Sequence, residues 1–249
     1  MLGIRKKTPA PVIYRTPPGE LSALYADMLQ QPHLLIAGAT GSGKSVAVNG
    51  LLYTASYRPP GDQLGGAWWI LIDPKRVELI QWRQLPHVIR YASEPEEMTA
   101  ALAYGLCILE YRYRQMQLER LRLFPGGDVF IIIDEYADLI LTAKNAVVPL
   151  MQRITQLGRA AKVHLIICTQ CPLKAVIDTP IKCNFDARLA LRTRSAQDSR
   201  NITGRAGCEL LPRYGVGLYM TPEKEQLTQI PMIPENALSA RVDWWISQK

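Results

Sequence analysis

The chain has 249 residues, 48% apolar and 20% charged, enough for a full hydrophobic core in one large α/β domain. Its net charge of +7, from 29 basic and 22 acidic side chains, suits a polyanionic partner without demanding one. No apolar run approaches the roughly 18 residues that cross a bilayer, and the scattered cysteines, with one CxxC (Cys168, Cys171) and no His pair nearby, fit reduced thiols in a cytoplasmic protein better than a disulfide framework or a zinc site.

Residues 1–19 are basic and proline-rich, with no acid before Glu20 and no signal-peptide core after Arg5-Lys6-Lys7. They read as an extended arm that lies on a neighbouring subunit or an acidic polymer, or stays solvated, while residues 20–249 form a single domain. Glu20 to Gln31 is a short helix ended by Pro32. Leu34 to Ala37 then makes a buried strand, and Gly38-Ala39-Thr40-Gly41-Ser42-Gly43-Lys44-Ser45 fits G-x-x-x-x-G-K-[ST]. Gly38, Gly41 and Gly43 let the backbone turn its N–H groups into one anion-sized concavity. The helix that follows, Val46 to Tyr57, adds the positive end of its dipole. Lys44 reaches the β- and γ-phosphates and the Ser45 hydroxyl can ligate Mg²⁺, so residues 38 and 40–46 (Thr40 to Val46) are the nucleotide-binding set.

A second apolar run, Ala67 to Ile72, ends in Asp73-Pro74-Lys75, placed either for ligand contacts or as a strand-to-helix cap. Ser93-Glu94-Pro95-Glu96 is a capping box that opens a helix reaching about Leu123, with Arg112, Arg114, Arg120 and Arg122 read mostly as a solvated helix end. After Pro125-Gly126-Gly127 comes Val129 to Ile133, a strand buried on both faces, followed by Asp134-Glu135. Two carboxylates there are costly unless they work on a cation or water. Asp134 is expected in the Mg²⁺ shell, and Glu135 to orient and polarise the attacking water.

Val147 to Ala161 is the next helix, and Val163 to Cys168 the third buried strand, ending in Thr169-Gln170, polar groups able to sense the γ-phosphate. His164, inside that strand, reads as a packed core histidine. Ala187 to Leu191 and Val216 to Met220 are further strands, separated by the basic stretch Arg192 to Arg200. The turn from Tyr219 to Pro222 is a place for adenine, and Trp244-Trp245 are packing residues. The sum is a P-loop NTPase with a mostly parallel central sheet flanked by helices.

Taken together, these motifs resemble the motor domain of FtsK/SpoIIIE-type double-stranded DNA translocases. The resemblance rests on Pro32 to Gly38 running into the phosphate loop, on Ile72-Asp73-Pro74-Lys75 and on Asp134-Glu135-Tyr136-Ala137-Asp138-Leu139. It continues through Gly158-Arg159-Ala160-Ala161, Cys168-Thr169-Gln170, Ile181-Lys182-Cys183-Asn184 and Asp198-Ser199-Arg200, in the family's order from about residue 32 to 222. It implies a RecA-like fold assembled as a ring, usually a hexamer, with ATP between subunits and duplex DNA in the pore. Lys44 and Ser45 match the phosphate-loop pair, Asp134 and Glu135 the Mg²⁺ and catalytic acids, and Gln170 the polar sensor. Arg159 matches the arginine inserted into a neighbour's site, a helix-end arginine on the dipole being the alternative. Lys182 and Arg200 stand where the family has DNA-facing basic residues, with Lys174 and Arg194 as nearby candidates. Cys171 stands where the family commonly has Arg, and Ala196-Gln197 replace its usual lysine, which weakens the pore more than the ATPase. With neither a membrane anchor nor a winged-helix reader in these residues, mobile-element transfer, conjugation or genome packaging is expected over septal chromosome pumping. A relative that threads protein would want apolar or acidic pore residues, which Lys174, Lys182 and Arg200 are not.

Overall fold

Period-two burial in the central strands decides the layering. In the computed structural model, which describes residues 20–61, 66–170 and 184–248, strands β1 (His33–Ala37), β2 (Ala67–Ile72), β4 (Asp128–Ile133) and β5 (Val163–Thr169) send alternate apolar residues to opposite faces. Leu34, Ile36, Trp69, Leu71, Phe130, Ile132 and Ile166 point to one core; Leu35, Ile70, Ile72, Ile131, Ile133, Leu165 and Ile167 point to the other. Helices α1 (Glu20–Gln30), α2 (Lys44–Ala55) and α6 (Glu235–Ile246) cover the first face. The second is covered by α3 (Pro95–Glu119) and α4 (Tyr136–Ala161).

With β3 (Val88–Ala92), β6 (Ala187–Leu191), β7 (Val216–Met220) and β8 (Glu225–Gln229), the sheet has eight strands in the order β3-β2-β4-β5-β1-β6-β7-β8. The first six run parallel, and β7 and β8 are antiparallel additions at one edge. Parallel strands end on one side, so the loops after β1, β4 and β5 share a rim. Because β5 lies between β4 and β1, the residue that ends it stands between the phosphate loop and the acidic pair, about 5 Å from each strand.

Several elements differ from the sequence expectation. The long helix starts at Pro95, not after Ser93: Glu94 is the N-cap and Glu97 returns the bond, so the box is shifted by one residue, and the helix stops at Glu119 on an Arg120 with φ of 56°. Helix α4 begins directly after Glu135 rather than at Val147, with a break in helical geometry at Ala143. Strands β3 and β8, the short α5 (Ala196–Thr203) and α6 are additional. Arg112 is no solvated helix end. It is 7% exposed, lies over the Phe124 ring, and donates to the carbonyls of Ala161 and Lys162 at 2.8 and 3.0 Å, capping the end of α4.

Candidate functional site

The glycine loop has the backbone its sequence demands. Gly41 and Gly43 take φ of 72° and 111°, and Gly43 is the N-cap of α2, whose first turn carries no acidic residue. At Gly38 a Cβ would sit 2.6 Å from Ser42 Oγ and 2.8 Å from Leu191 Cβ, so only glycine fits between the loop and β6. Neighbouring loops hold this one in place: Ala39 N–H donates to the Arg192 carbonyl at 2.8 Å and Gly215 N–H to the Ser42 carbonyl at 2.9 Å. Lys44 Nζ donates to the Gly38 and Ala39 carbonyls at 2.8 and 2.9 Å, bonds that phosphate oxygens could take over. Burial lowers its pKa, against the pull of Glu135 and Asp134.

Across the rim stand the acids. Asp134 is 9% and Glu135 3% exposed. Burial first, and then the charges of Asp73, Glu78 and Glu135, push Asp134 up to about 7. Both Glu135 oxygens are engaged: Oε1 accepts the Gln170 N–H at 3.2 Å and Oε2 lies 3.3 Å from Lys75 Nζ, which also faces Asp138 at 3.7 Å. The Gln170 side-chain oxygen in turn accepts from the Thr40 hydroxyl at 2.7 Å. One chain of contacts thus joins the glycine loop, Gln170 and the second acid. Asp73, fully buried, caps the following loop by accepting Leu79 N–H at 3.0 Å, so the cap holds for Asp73 and the cleft contact for Lys75.

These groups line a cleft of about 630 Å³ that includes Thr40, Gly41, Gly43, Lys44, Ser45 and Val46 with Asp134, Glu135 and Gln170. Its outer wall was not anticipated. Exposed Val77, Tyr214 and Met232, with Ile230, give it an apolar side wide enough for a nucleobase. The turn proposed for adenine is not that wall: Tyr219 is fully buried under Lys224, and the cleft is closed instead by Tyr214-Gly215 and Gln229 to Met232. The available signal was Tyr214-Gly215 before β7, a turn with φ of 68° and 88° held by Gln229 Nε2 on the Tyr214 carbonyl at 2.9 Å.

The remaining predicted residues fall elsewhere. Ser42 lines a second cavity behind the loop, together with Arg194. Arg200 is exposed on α5. Arg159 is exposed in the last turn of α4, the opposite end from Glu135. At 1.5 Å per residue a 26-residue helix puts roughly 35–40 Å between them. Lys174, Lys182 and the arm of residues 1–19 lie outside the described residues. Among the described residues no helix is long and apolar enough to cross a membrane.

A glycine loop closing on a lysine, a paired acid two strands away and a polar residue between them define a P-loop NTPase domain. The match to known proteins narrows this further. The FtsK/SpoIIIE family model covers residues 5–128 and 122–174, and the chain belongs to that family. It is 38% identical over 219 residues to a DNA translocase FtsK of Mycobacterium tuberculosis, covering 78% of this chain and 26% of that protein. A DNA translocase FtsK of Treponema pallidum is 37% identical over 220 residues, with 82% of this chain and 27% of that protein covered. The chain therefore spans about a quarter of the length of these relatives. Among solved structures, the monomer form of the pCW3 conjugation coupling protein TcpA superposes with a TM-score of 0.77 at 20% identity, over 89% of this chain and 66% of that one. The packaging NTPase B204 of Sulfolobus turreted icosahedral virus 2 gives 0.53 at 14%, over 82% and 99%. Both show a shared fold.

Proposed function

We propose that this domain hydrolyses ATP to drive movement along double-stranded DNA, as one subunit of a hexameric ring whose sites are completed by Arg159 of the adjacent copy. The observation that carries the reading is the division along α4: loop, acids and sensor meet in one cleft, while the arginine expected of the site stands at the helix's far end, out of reach of its own Lys44. An arginine so placed acts on another molecule's nucleotide or not at all.

In this reading Lys44 and the loop N–H groups hold the β- and γ-phosphates, and the apolar wall of Val77, Ile230 and Met232 takes the base. The donor set suits Mg²⁺: Ser45 and Asp134 line the same cleft, and burial, then the neighbouring carboxylates, raise Asp134 to about 7. Mg²⁺ would supply neutralisation of the charge that develops on the transferred phosphoryl group. Glu135 draws a proton from the attacking water, and Gln170 reports phosphate occupancy to it through its N–H. The relatives named as DNA translocases motivate the DNA substrate, and Lys174, Lys182, Arg194 and Arg200 are the proposed phosphate contacts. Backbone contacts suit a motor indifferent to sequence.

Phosphate release measured with and without long linear duplex DNA at low salt tests the proposal. Stimulation of several-fold or more is expected, and Glu135→Gln should lose about 10²–10⁴ in rate while still binding ATP. Hydrolysis indifferent to DNA, or hydrolysis intact in Glu135→Gln, overturns it.

A further inference from the structure

The P-loop has a cavity on each side. Behind it, away from the cleft, lies one of about 240 Å³ whose wall includes Arg192, Arg194 and Arg213 with Thr40 and Ser42. Two features set it apart from an ordinary basic surface. Among the described residues no carboxylate lies within ion-pair distance of any of the three guanidiniums; Arg192 Nη1 makes one bond, to the Leu211 carbonyl at 3.2 Å. The three loops that carry these residues are tied together by the bonds from Ala39 to Arg192, from Gly215 to Ser42 and from Thr193 N–H to the Cys208 carbonyl at 3.2 Å. The cavity is therefore framed by fixed backbone.

We propose that this cavity is a second oxyanion site, distinct from the triphosphate loop, that takes a phosphate group on Arg192, Arg194 and Arg213. The chemistry favours phosphate over carboxylate. One guanidinium already satisfies a carboxylate through two parallel bonds, whereas three guanidiniums offer more donors and more charge than a carboxylate can use and suit the several oxygens of a phosphate. Thr40 lines both cavities and donates to Gln170, so an anion seated behind the loop touches the wall that the γ-phosphate touches from the front. The group could come from free phosphate or from a nucleic-acid backbone, and the experiment separates them.

The test titrates inorganic phosphate into the full chain, with the cleft first saturated by a non-hydrolysable ATP analogue, and follows heat and ³¹P line width. One phosphate per chain is expected to bind with the analogue in place. The double variant Arg194→Gln/Arg213→Gln, both positions exposed and so expected to fold, should weaken it at least tenfold. Adding a short DNA duplex then assigns the source: displacement of phosphate points to a backbone phosphate, and undisturbed binding to free phosphate. No binding with the analogue in place, or binding equal in the double variant, overturns the proposal. If the analogue itself fails to bind, the nucleotide reading fails instead, and the same titration of the nucleotide-free chain and its double variant still decides this site.

Discussion

The two ends of the parallel sheet are built on opposite principles. At the amino-terminal end, His164 lies between two acceptors, 2.9 Å from the Pro32 carbonyl and 2.7 Å from Asp128 Oδ1. Arg112 caps α4 there, Lys162 Nζ donates to the Gly126 carbonyl at 3.1 Å, and Leu165 N–H donates to His33 Nδ1 at 3.0 Å. At the carboxyl-terminal end Glu135 is matched by Lys75 and the Gln170 N–H, but burial pulls Lys44 down and pushes Asp134 up to about 7, and Ser42 Oγ and Asp73 Oδ1 have no partner. Backbone with positive φ collects there too, at Gly41, Gly43, Tyr214 and Gly215. One end holds the fold together; the other keeps groups ready for a ligand that would satisfy them.

Arg159 is an exposed cation at the settled end, as Arg120 and Arg122 are, and removing it gives the largest expected effect. Arg159→Ala should lower DNA-stimulated hydrolysis by about 10³ or more, the range of arginine fingers elsewhere, while the melting transition moves by no more than about 0.5 kcal/mol. Mixed with Glu135→Gln chains, it should regain part of the rate, because each variant supplies what the other lacks. A variant that keeps half its activity, or mixing that restores nothing, would return Arg159 to a helix-end role.

Asp134 sharpens the contrast through pH. Its folded pKa lies above the ordinary 3.8, so the folded state binds its proton more tightly than the unfolded chain. Stability from this group is complete below about 4 and declines as pH rises to about 7. In chelator, Asp134→Asn should therefore be more stable than the parent at pH 8, on the order of 2 kcal/mol, with the gain shrinking toward pH 4. Mg²⁺-dependent hydrolysis should be lost at every pH. Thermal melts across that range decide it: equal stability at pH 8 would mean that the carboxylate is not under strain.

How much of this could be read beforehand follows the same divide. The P-loop, the acids and Gln170 are written in local motifs whose spacing fixes their backbone, and the six parallel strands place them on one rim. What stayed hidden depends on partners distant in sequence. Strands β3 (Val-Ile-Arg-Tyr-Ala) and β8 (Glu-Gln-Leu-Thr-Gln) sit at the two edges, where one side faces no neighbour and polar residues are tolerated. Arg112 looks like any helix arginine until the end of α4, 49 residues on, brings it two carbonyls. The apolar wall of the cleft comes from three separate loops, at Val77, at Tyr214 and at Gln229 to Met232, and carries no motif.

Arg112 offers a smaller perturbation at the settled end. Arg112→Met keeps the stem that packs on Phe124 but leaves the Ala161 and Lys162 carbonyls unpaired, at a cost of about 2–3 kcal/mol. Hydrolysis per folded chain should fall only as far as α4 loosens and carries Arg159 with it. Urea titration alongside the rate separates the two effects.

The smallest effect is expected at His164. Burial tends to raise Asp128, but the hydrogen bond and charge of His164, with Lys162 and Arg112, bring it below 3.8. A depressed carboxyl contributes stability above its unfolded pKa and loses it as pH falls through the folded one. His164→Gln keeps a donor for Asp128 but gives up the second contact, to the Pro32 carbonyl, so a loss of about 1 kcal/mol is expected. Because the ring stands at the far end of β5 from Gln170, nucleotide hydrolysis at 25 °C should stay within twofold of the parent. A larger drop would show that the two ends are coupled through the strand, and that the histidine does more than pack.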